Sequence, residues 1–198
     1  MVLLLHHSES RKPSNTGQLA AQCLENSQVA LHGAPAGEKA CGLMPWPAST
    51  QPLLLFPHAD ATPFSTWANH PQPITLVVPD GTWRQAFKMR RRVPGLSALP
   101  CVASPIGDPT RYQLRSEKLA GGLATMEAIA RAMGVFEGPE VERALLHVFR
   151  VMVERTLWAR GLMATHKVTG GIPPGALSHD PMGDLSCRDL SRPGEPAE

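Results

Sequence analysis

Residues 74–92, ITLVVPDGTWRQAFKMRRR, constrain the fold more than any other stretch of the chain. The β-branched apolar run at 74–78 predicts a buried strand, and residues 79–82 predict a sharp polar turn. Residues 83–92 predict a cationic helix that ends before Pro94, because proline excludes its predecessor from the helical region. Ligands of α/β proteins bind beyond the carboxyl ends of such strands. We therefore expect the functional site at this turn.

The remaining chain alternates short apolar runs with helical patterns, which predicts an α/β fold with a mostly parallel sheet flanked by helices. Further strands are predicted at residues 2–5, 28–31, 53–56 and 100–103. Three further helices are predicted. The first follows an N-cap at Ser14 or Asn15 and runs to about residue 24. The second covers residues 123–133, and the third runs from Pro139 to about Gly161. Residues 111–115 fit either an edge strand or an ordered loop.

Length and composition predict one globular domain at residues 1–163, since 198 residues with 42% hydrophobic content can bury a core. Residues 164–198 lack periodicity and are expected to form a disordered tail. The four cysteines do not have the spacing of a metal site, so no metal is predicted. No apolar run approaches the ~20 residues of a membrane span. We expect a cytoplasmic protein that does not bind membranes, and a monomer.

Positive charge is concentrated in one part of the chain. The net charge is only +2, but residues 84–118 contain eight cations and two acids. Such a local patch is typical of phosphate binding, and a solvated basic face has the same composition. Because it follows the predicted strand and turn, both interpretations stay open.

Asp80, Gly81, Thr82 and Trp83 are the strongest candidates for chemistry. Asp80 can serve as a base or bind a cationic group, and Gly81 permits a tight turn. Thr82 can cap the next helix. Trp83 can stack on a base or anchor the core. The alternative is a capped turn with a buried tryptophan.

Two further polar clusters are candidates for the same crevice. The first, in the loop after the first strand, comprises His7, Glu9, Asn15 and Thr16. The second comprises Arg111, Tyr112, Arg115, Thr125 and Glu127. Taken alone, each is better explained as a solvated loop or a helix start. The chain has no GxGxxG, P-loop, HExxH or GxSxG motif.

The segment VPDGTWRQAFKM, residues 78–89, resembles the Asp-x-Thr-Trp signature of the DTW-domain family. Four companions occur in the family's order, namely HHSES…SNTG, LLLFP, RYQLRSE and LATMEAIA. Two positions depart from it, because Ser8 stands where proline is usual and Ala124 where serine is usual. Many relatives also carry a zinc module before the first strand, whereas this sequence begins at that strand. Either the lineage has lost the module or the start is truncated, and no zinc is expected in this chain.

The resemblance implies a SPOUT-like fold with a C-terminal trefoil knot. It also implies a tRNA-uridine aminocarboxypropyltransferase, which moves the 3-amino-3-carboxypropyl group of S-adenosylmethionine to uridine N3 and releases methylthioadenosine. Rival interpretations are a SPOUT-like RNA methyltransferase, the same transfer to ribosomal RNA, and a non-catalytic RNA-binding protein. The expected partners are tRNA and S-adenosylmethionine.

Under this resemblance we assign candidate roles to individual residues. Asp80, Thr82 and Trp83 are expected to be catalytic, with Asp80 either the base for uridine N3–H or a ligand of the donor's ammonium. The candidate donor-binding residues are Pro79, Asp80, Gly81, Leu123, Thr125 and Glu127. The candidate RNA-binding residues are Arg84, Lys88, Arg91, Arg111 and Arg115.

Overall fold

The computed structural model describes residues 1–33, 46–103, 109–112, 114 and 122–178. Two compact units divide the chain. The first comprises Met1–Tyr112 and Glu117–Phe149, and the second includes the chain from Arg150 onward. Every candidate residue that the structure describes belongs to the first unit.

Six parallel strands form one sheet in the first unit. They are β1 (Val2–His6), β2 (Gln28–His32), β3 (Gln51–Leu55), β4 (Thr62–Pro63), β5 (Ile74–Asp80) and β6 (Cys101–Ala103). The order across the sheet is β2-β1-β5-β3-β6-β4, and each neighbouring pair is parallel. The predicted α/β fold with a parallel sheet is therefore confirmed.

The five helices of the described residues are α1 (Thr16–Cys23), α2 (Trp83–Arg92), α3 (Thr125–Phe136), α4 (Pro139–Ala159) and α5 (Pro174–Leu177). The predicted helix at 83–92 is confirmed at both ends. Asn15, one of the two proposed N-caps, caps α1, and Pro139 begins α4 as predicted.

Helices cover both faces of the sheet, which is the usual arrangement for a parallel sheet. On one face, Val2 and Leu4 of β1 and Val77 of β5 pack with Ala86 and Met89 of α2. Successive strand side chains point to opposite faces, so Leu3 lies on the other face. There α1 packs beside Leu3 and against α3. The ends of the central strands are thereby framed by three helices.

Two details of the prediction were wrong or incomplete. Pro79 and Asp80 were placed in the turn, but β5 continues through both, because backbone pairing with β1 extends to Asp80. The strand β4 was missed, since two residues that include a proline carry no strand pattern. Arg111 and Tyr112 lie in a loop, which fits the loop alternative, while residues 113 and 115 lie outside the described residues.

The second unit is organised by Glu154 of α4. Its carboxylate accepts hydrogen bonds from Arg150 Nε at 2.6 Å and from the Thr169 N–H at 2.6 Å. Burial opposes ionisation, but these hydrogen bonds outweigh it and lower the pKa of Glu154. Within the predicted tail, residues 165–167 form a 3-10 turn and Val168 is buried. Residues 179–198 lie outside the described part, and the domain boundary at 163 stays a prediction.

None of the helices in the described ranges is long and apolar enough to cross a membrane.

Candidate active site

The chain changes direction across the sheet between β1 and β5, which are neighbours in its centre. After β1 the next strand, β2, lies on one side. After β5 the next strand, β6, lies on the other side. Connections that leave in opposite directions open a crevice at the carboxyl ends of the two strands, and open α/β sheets bind ligands there.

Asp80 ends β5 in this crevice, with a side chain that is buried at 4% exposure. Asn15 Nδ2 donates to its Oδ2 at 2.6 Å, and Thr125 Oγ1 donates to its Oδ1 at 2.5 Å. Donors at both oxygens suit an ionised carboxylate, which can only accept. One side chain thus joins three segments that are far apart in sequence.

Asn15 links Asp80 to the start of α1. Its Oδ1 accepts from the Gln18 N–H at 2.7 Å as the helix N-cap, while its Nδ2 holds the carboxylate. The cap residue is therefore oriented by the helix it caps, and the same orientation aims its amide at Asp80.

Gly17 lets α1 approach the carboxylate. A Cβ at this position would lie 2.8 Å from Asp80 Cγ and 2.9 Å from its Oδ2. The positive end of the α1 dipole is thereby brought against a negative group, which is a favourable arrangement. Gly17 was not among the predicted site residues. A signal was present, because glycine inside a helix costs about 1 kcal/mol relative to alanine and needs a reason.

Glu127 positions the start of α3 rather than contacting Asp80 itself. It is buried, and its carboxylate accepts from Thr110 Oγ1 at 2.6 Å, the Arg111 N–H at 2.8 Å and the Ala124 N–H at 2.9 Å. Ala124 is the N-cap and has no side-chain acceptor, so Glu127 supplies the reciprocal half of a capping box. The loop at residues 109–112 is thereby attached to the helix that presents Thr125.

Tyr112 ties this loop to the segment before α1. Its ring is buried 5.8 Å from that of Phe149, and its hydroxyl donates to the Ser14 carbonyl at 3.1 Å. Asn15 follows Ser14 directly, so the hydrogen bond from Tyr112 helps to position Asn15, which donates to Asp80. The two polar clusters and the end of β5, separate in sequence, therefore meet.

Thr82 caps α2, as predicted. Its Oγ1 accepts from the Gln85 N–H at 3.3 Å, and Gln85 Oε1 accepts from the Thr82 N–H at 2.7 Å. Gln85 Nε2 also donates to Ser8 Oγ at 3.0 Å, and Ser8 Oγ lies 2.9 Å from His6 Nδ1. The turn after β5 is thus attached to the loop after β1. Ser8 and Gln85 were missed as partners, because only the fold places them together.

Two histidines at this end of the sheet have lowered pKa values. His6 and His32 are register partners at the ends of β1 and β2. Burial lowers the pKa of His6, with smaller contributions from His32 and His7. Burial, and then the charge of Arg92, lowers the pKa of His32. An unperturbed histidine titrates near 6.5, so both are mainly neutral at pH 7.

The predicted polar loop supplies one direct partner of Asp80 in Asn15. Thr16 is buried as the first residue of α1, and His7 lies half-buried in a 3-10 turn. Glu9 is buried, and its Oε1 accepts from Lys12 Nζ at 2.6 Å. These three residues shape the loop that presents Asn15.

The remaining donor-binding candidates lie on two segments that meet at Asp80. Pro79 is buried in β5, and Gly81 follows the strand. Leu123 is half-buried two residues before Thr125. Pro79 and Gly81 are thus the chain neighbours of Asp80, and Leu123 lies on the segment whose Thr125 donates to it.

Helix α2 separates buried from exposed residues sharply. Ala86 and Met89 face the sheet, whereas Arg84, Lys88 and Arg91 are exposed at spacings of four and three residues, which place them on one face. Arg111 is exposed, with its N–H on Glu127. Arg115 lies outside the described residues.

Trp83 follows the turn and is 45% exposed. The ring of the buried Phe56 lies T-shaped to it, with centroids 6.5 Å apart. Trp83 thus packs against Phe56 and is otherwise partly open to solvent, so the interpretation of a fully buried core anchor is wrong.

No cluster of three or more His, Cys, Asp or Glu side chains in the described residues has the arrangement of a metal site. The described site consists of a buried carboxylate, hydroxyl and amide donors and two helix starts.

The family model of the DTW domain matches residues 1–157, which include all three segments that meet at Asp80. The chain belongs to the DTW domain family. The Asp, Thr and Trp of its signature are Asp80, Thr82 and Trp83, at the end of β5 and the start of α2.

Two curated relatives are similar over most of this DTW domain. The Drosophila melanogaster tRNA-uridine aminocarboxypropyltransferase 2 is 27% identical over 161 residues, covering 79% of this chain and 64% of the relative. The Arabidopsis thaliana tRNA-uridine aminocarboxypropyltransferase A is 30% identical over 188 residues, covering 77% of this chain and 69% of the relative. The chain thus spans about two thirds of the length of these relatives. No solved structure matches it significantly.

Proposed function

We propose that this DTW domain transfers the 3-amino-3-carboxypropyl group of S-adenosylmethionine to N3 of a uridine in tRNA. The observation that carries the proposal is the buried Asp80 carboxylate, which a hydroxyl and an amide hold at the crevice of the sheet. Family membership and the names of two relatives support the reaction class.

The reaction is a displacement at the carbon next to a sulfonium. The bond from uridine N3 to that carbon forms, the carbon–sulfur bond breaks, and its electron pair leaves with methylthioadenosine. The N3 proton goes to a base. Because the leaving group is neutral, the protein's main tasks are to accept this proton and to align the reactants, and alignment supplies much of the acceleration.

We assign proton acceptance, or orientation of the uridine N3–H, to Asp80. Asn15 and Thr125 each occupy one oxygen, and an ionised carboxylate has further lone pairs to accept from a substrate. The two protein donors fix the direction of those lone pairs. Asn15 and Thr125 act as positioning residues, and the alternative role for Asp80 is to bind the donor's ammonium.

The donor fits between the end of β5 and the start of α3. Pro79, Gly81, Leu123 and Thr125 border this space along the chain. The helix starts at Thr16 and Thr125 present backbone N–H groups, which suit a carboxylate. Glu127 acts by holding Thr125 in place. The methyl group of the donor has to be kept away from the uridine, and half-buried Leu123 and buried Met126 are candidate apolar contacts.

The tRNA is bound through the exposed cations of α2. Arg84, Lys88 and Arg91 present three positive charges on one face, with Arg111 on the loop tied to α3. Contacts with phosphates position an RNA without reading its sequence. Helix α2 begins at Trp83, three residues after Asp80, so RNA on this face lies beside the reacting group.

We also propose that the C-terminal part of the first unit forms the trefoil knot of SPOUT-type proteins. The parallel sheet and the return of residues 109–112 and 122–125 to the crevice support this architecture. An experimental structure that traces residues 101–125 tests it. A chain path that threads no loop contradicts the knot and leaves the proposed reaction in place.

The deciding experiment is incubation of the protein with S-adenosylmethionine and unmodified tRNA, followed by nucleoside mass spectrometry. We expect methylthioadenosine and a uridine carrying the aminocarboxypropyl group. Release of S-adenosylhomocysteine instead identifies a methyltransferase. Formation of the product on ribosomal RNA alone would identify ribosomal RNA, not tRNA, as the substrate. RNA binding without either product identifies a non-catalytic binding protein.

A further inference from the structure

The outer face of α2 carries aromatic side chains as well as cations. The chain has five Phe, four Trp and one Tyr, all within the described residues. Of these, Trp83 at 45% and Phe87 at 46% are the exposed ones, and both lie on α2. The other eight are buried or half-buried. Exposed aromatics are therefore confined to one helix.

Trp83 and Phe87 are four residues apart and hence neighbours on the helix surface, with about 5–6 Å between their Cβ atoms. Beside them runs the row of Arg84, Lys88 and Arg91. Helix α2 has five cations and no acid, so a phosphate backbone is complementary to it in charge. An exposed aromatic pair adds little to the stability of a fold, but it offers a surface on which a nucleobase can stack.

We propose that Trp83 and Phe87 form a stacking platform for unpaired nucleobases, and that the cations beside them hold the phosphates of the same strand. The preferred ligand of α2 is therefore single-stranded RNA, such as a loop, rather than a duplex. Stacking on aromatics requires the faces of unpaired bases, which a duplex covers by its own stacking. The inference rests on the proposed function and defines its substrate class.

The orientation of Trp83 supports this platform. The T-shaped contact with Phe56 restrains the indole, while Trp83 remains 45% exposed. The Thr82 cap fixes the first turn of α2 and so the direction in which Trp83 leaves the helix. A preorganised aromatic loses less entropy when a base stacks on it. The platform begins three residues after Asp80, which places a stacked strand next to the reacting carboxylate.

Fluorescence anisotropy with the full chain tests the proposal. The probes are a fluorescein-labelled 12-nucleotide oligouridylate and a labelled RNA duplex of 12 base pairs. We expect Phe87→Leu, which retains apolar area but has no ring, to weaken oligouridylate binding by about tenfold, within the range for removal of one stacked base. Duplex binding should change less than twofold. Phe87→Tyr should restore oligouridylate binding.

Salt titration separates stacking from charge. Phe87→Leu should leave the slope of log affinity against log salt unchanged, because it removes no cation that binds a phosphate. Arg91→Ala should reduce that slope by about 0.7 for a single strand. Leu177→Ala, which alters an exposed apolar residue of the second unit, is the matched control and should change neither quantity.

Equal weakening of oligouridylate and duplex by Phe87→Leu, or no weakening of either, would overturn the platform. If the wild-type protein makes the aminocarboxypropyl product in that case, the proposed function stands without the platform. If the wild-type protein makes no product but shows Phe87-dependent single-strand binding, the platform stands and the proposed function fails.

Discussion

The Asp80 pocket and the outer face of α2 are three residues apart in sequence and opposite in physical character. Asp80 is 4% exposed, and both oxygens accept from protein donors. Trp83 and Phe87 are nearly half exposed, beside cations on the surface of the helix. The difference indicates that the two regions have different roles. A buried, hydrogen-bonded group can hold reacting atoms in place, whereas an exposed aromatic and cationic face can bind a large flexible ligand.

The two regions should respond differently to substitution. At the Asp80 pocket the same hydrogen bonds serve folding and function, because Asn15 and Thr125 donate to the buried Asp80 carboxylate. Substitutions on the outer face of α2 should affect binding alone, because its side chains are exposed and contribute little to the packing of the fold. Substitutions in the two regions test this contrast.

Asp80→Ala should abolish modification, with a loss of at least about 100-fold, the lower range for a general base. It should also lower stability by about 1–3 kcal/mol for each donor left unsatisfied, at Asn15 and Thr125. Nucleoside mass spectrometry and thermal unfolding measure the two effects. Asp60→Ala, at an exposed aspartate, is the control and should change neither.

Donor binding by the Asp80→Ala variant distinguishes the two roles of the carboxylate. If Asp80 receives the N3 proton, calorimetry should show S-adenosylmethionine binding partly retained. A loss of donor affinity above about 100-fold would assign Asp80 to the donor's ammonium instead, because that is the scale of one charged hydrogen bond. Turnover at the wild-type rate would remove Asp80 from the mechanism.

Asn15→Asp should retain the N-cap of α1 while replacing the donor to Asp80 by a second carboxylate. We expect a stability loss of about 2–4 kcal/mol from like charges in close contact, and a large loss of turnover. Asn69→Asp adds the same charge at an exposed site and should be nearly neutral. If both variants unfold alike, the hydrogen bond between Asn15 and Asp80 does not organise the pocket.

Gly17→Ala should lower stability by about 1–3 kcal/mol and reduce turnover, because the added Cβ overlaps the Asp80 carboxylate. Gly175→Ala is the matched control, since nothing lies within 4 Å of its added Cβ. Denaturant unfolding and initial rates measure both. An alanine at residue 17 that behaves like the control would mean that α1 does not pack tightly on the carboxylate.

Changing Arg84, Lys88 and Arg91 together to alanine should leave stability within about 0.5 kcal/mol, as is usual for surface substitutions. Affinity for tRNA should fall, and the slope of log affinity against log salt should decrease by about 0.9 for each phosphate that the variant no longer binds. The control changes the exposed Arg143, Arg160 and Lys167 to alanine, which removes the same charge. Identical slopes for the two triple variants would show that α2 does not bind RNA phosphates.

Local patterns were sufficient to predict much of the fold. Apolar runs predicted five of the six strands in the described residues. The longer helices followed from apolar periodicity, from Asn15 and Thr82 as N-caps, and from Pro139 as the first residue of α4. These signals are local because capping and strand burial depend on a few neighbouring residues. The end of β5 was misplaced, since pairing with β1 and not local propensity carries the strand through Asp80.

Local sequence patterns are enough to identify Asp80, Asn15, Thr125 and the cations of α2 as candidates for the site. They do not show that Asn15 and Thr125 hold the same carboxylate, that Gly17 packs on it, or that Trp83 and Phe87 stay exposed, which depends on the folded chain. The physical reason is distance along the chain. Asn15 and Asp80 are 65 residues apart, and Asp80 and Thr125 are 45 apart. Contacts of that range arise from strand order and helix packing, which no local pattern encodes.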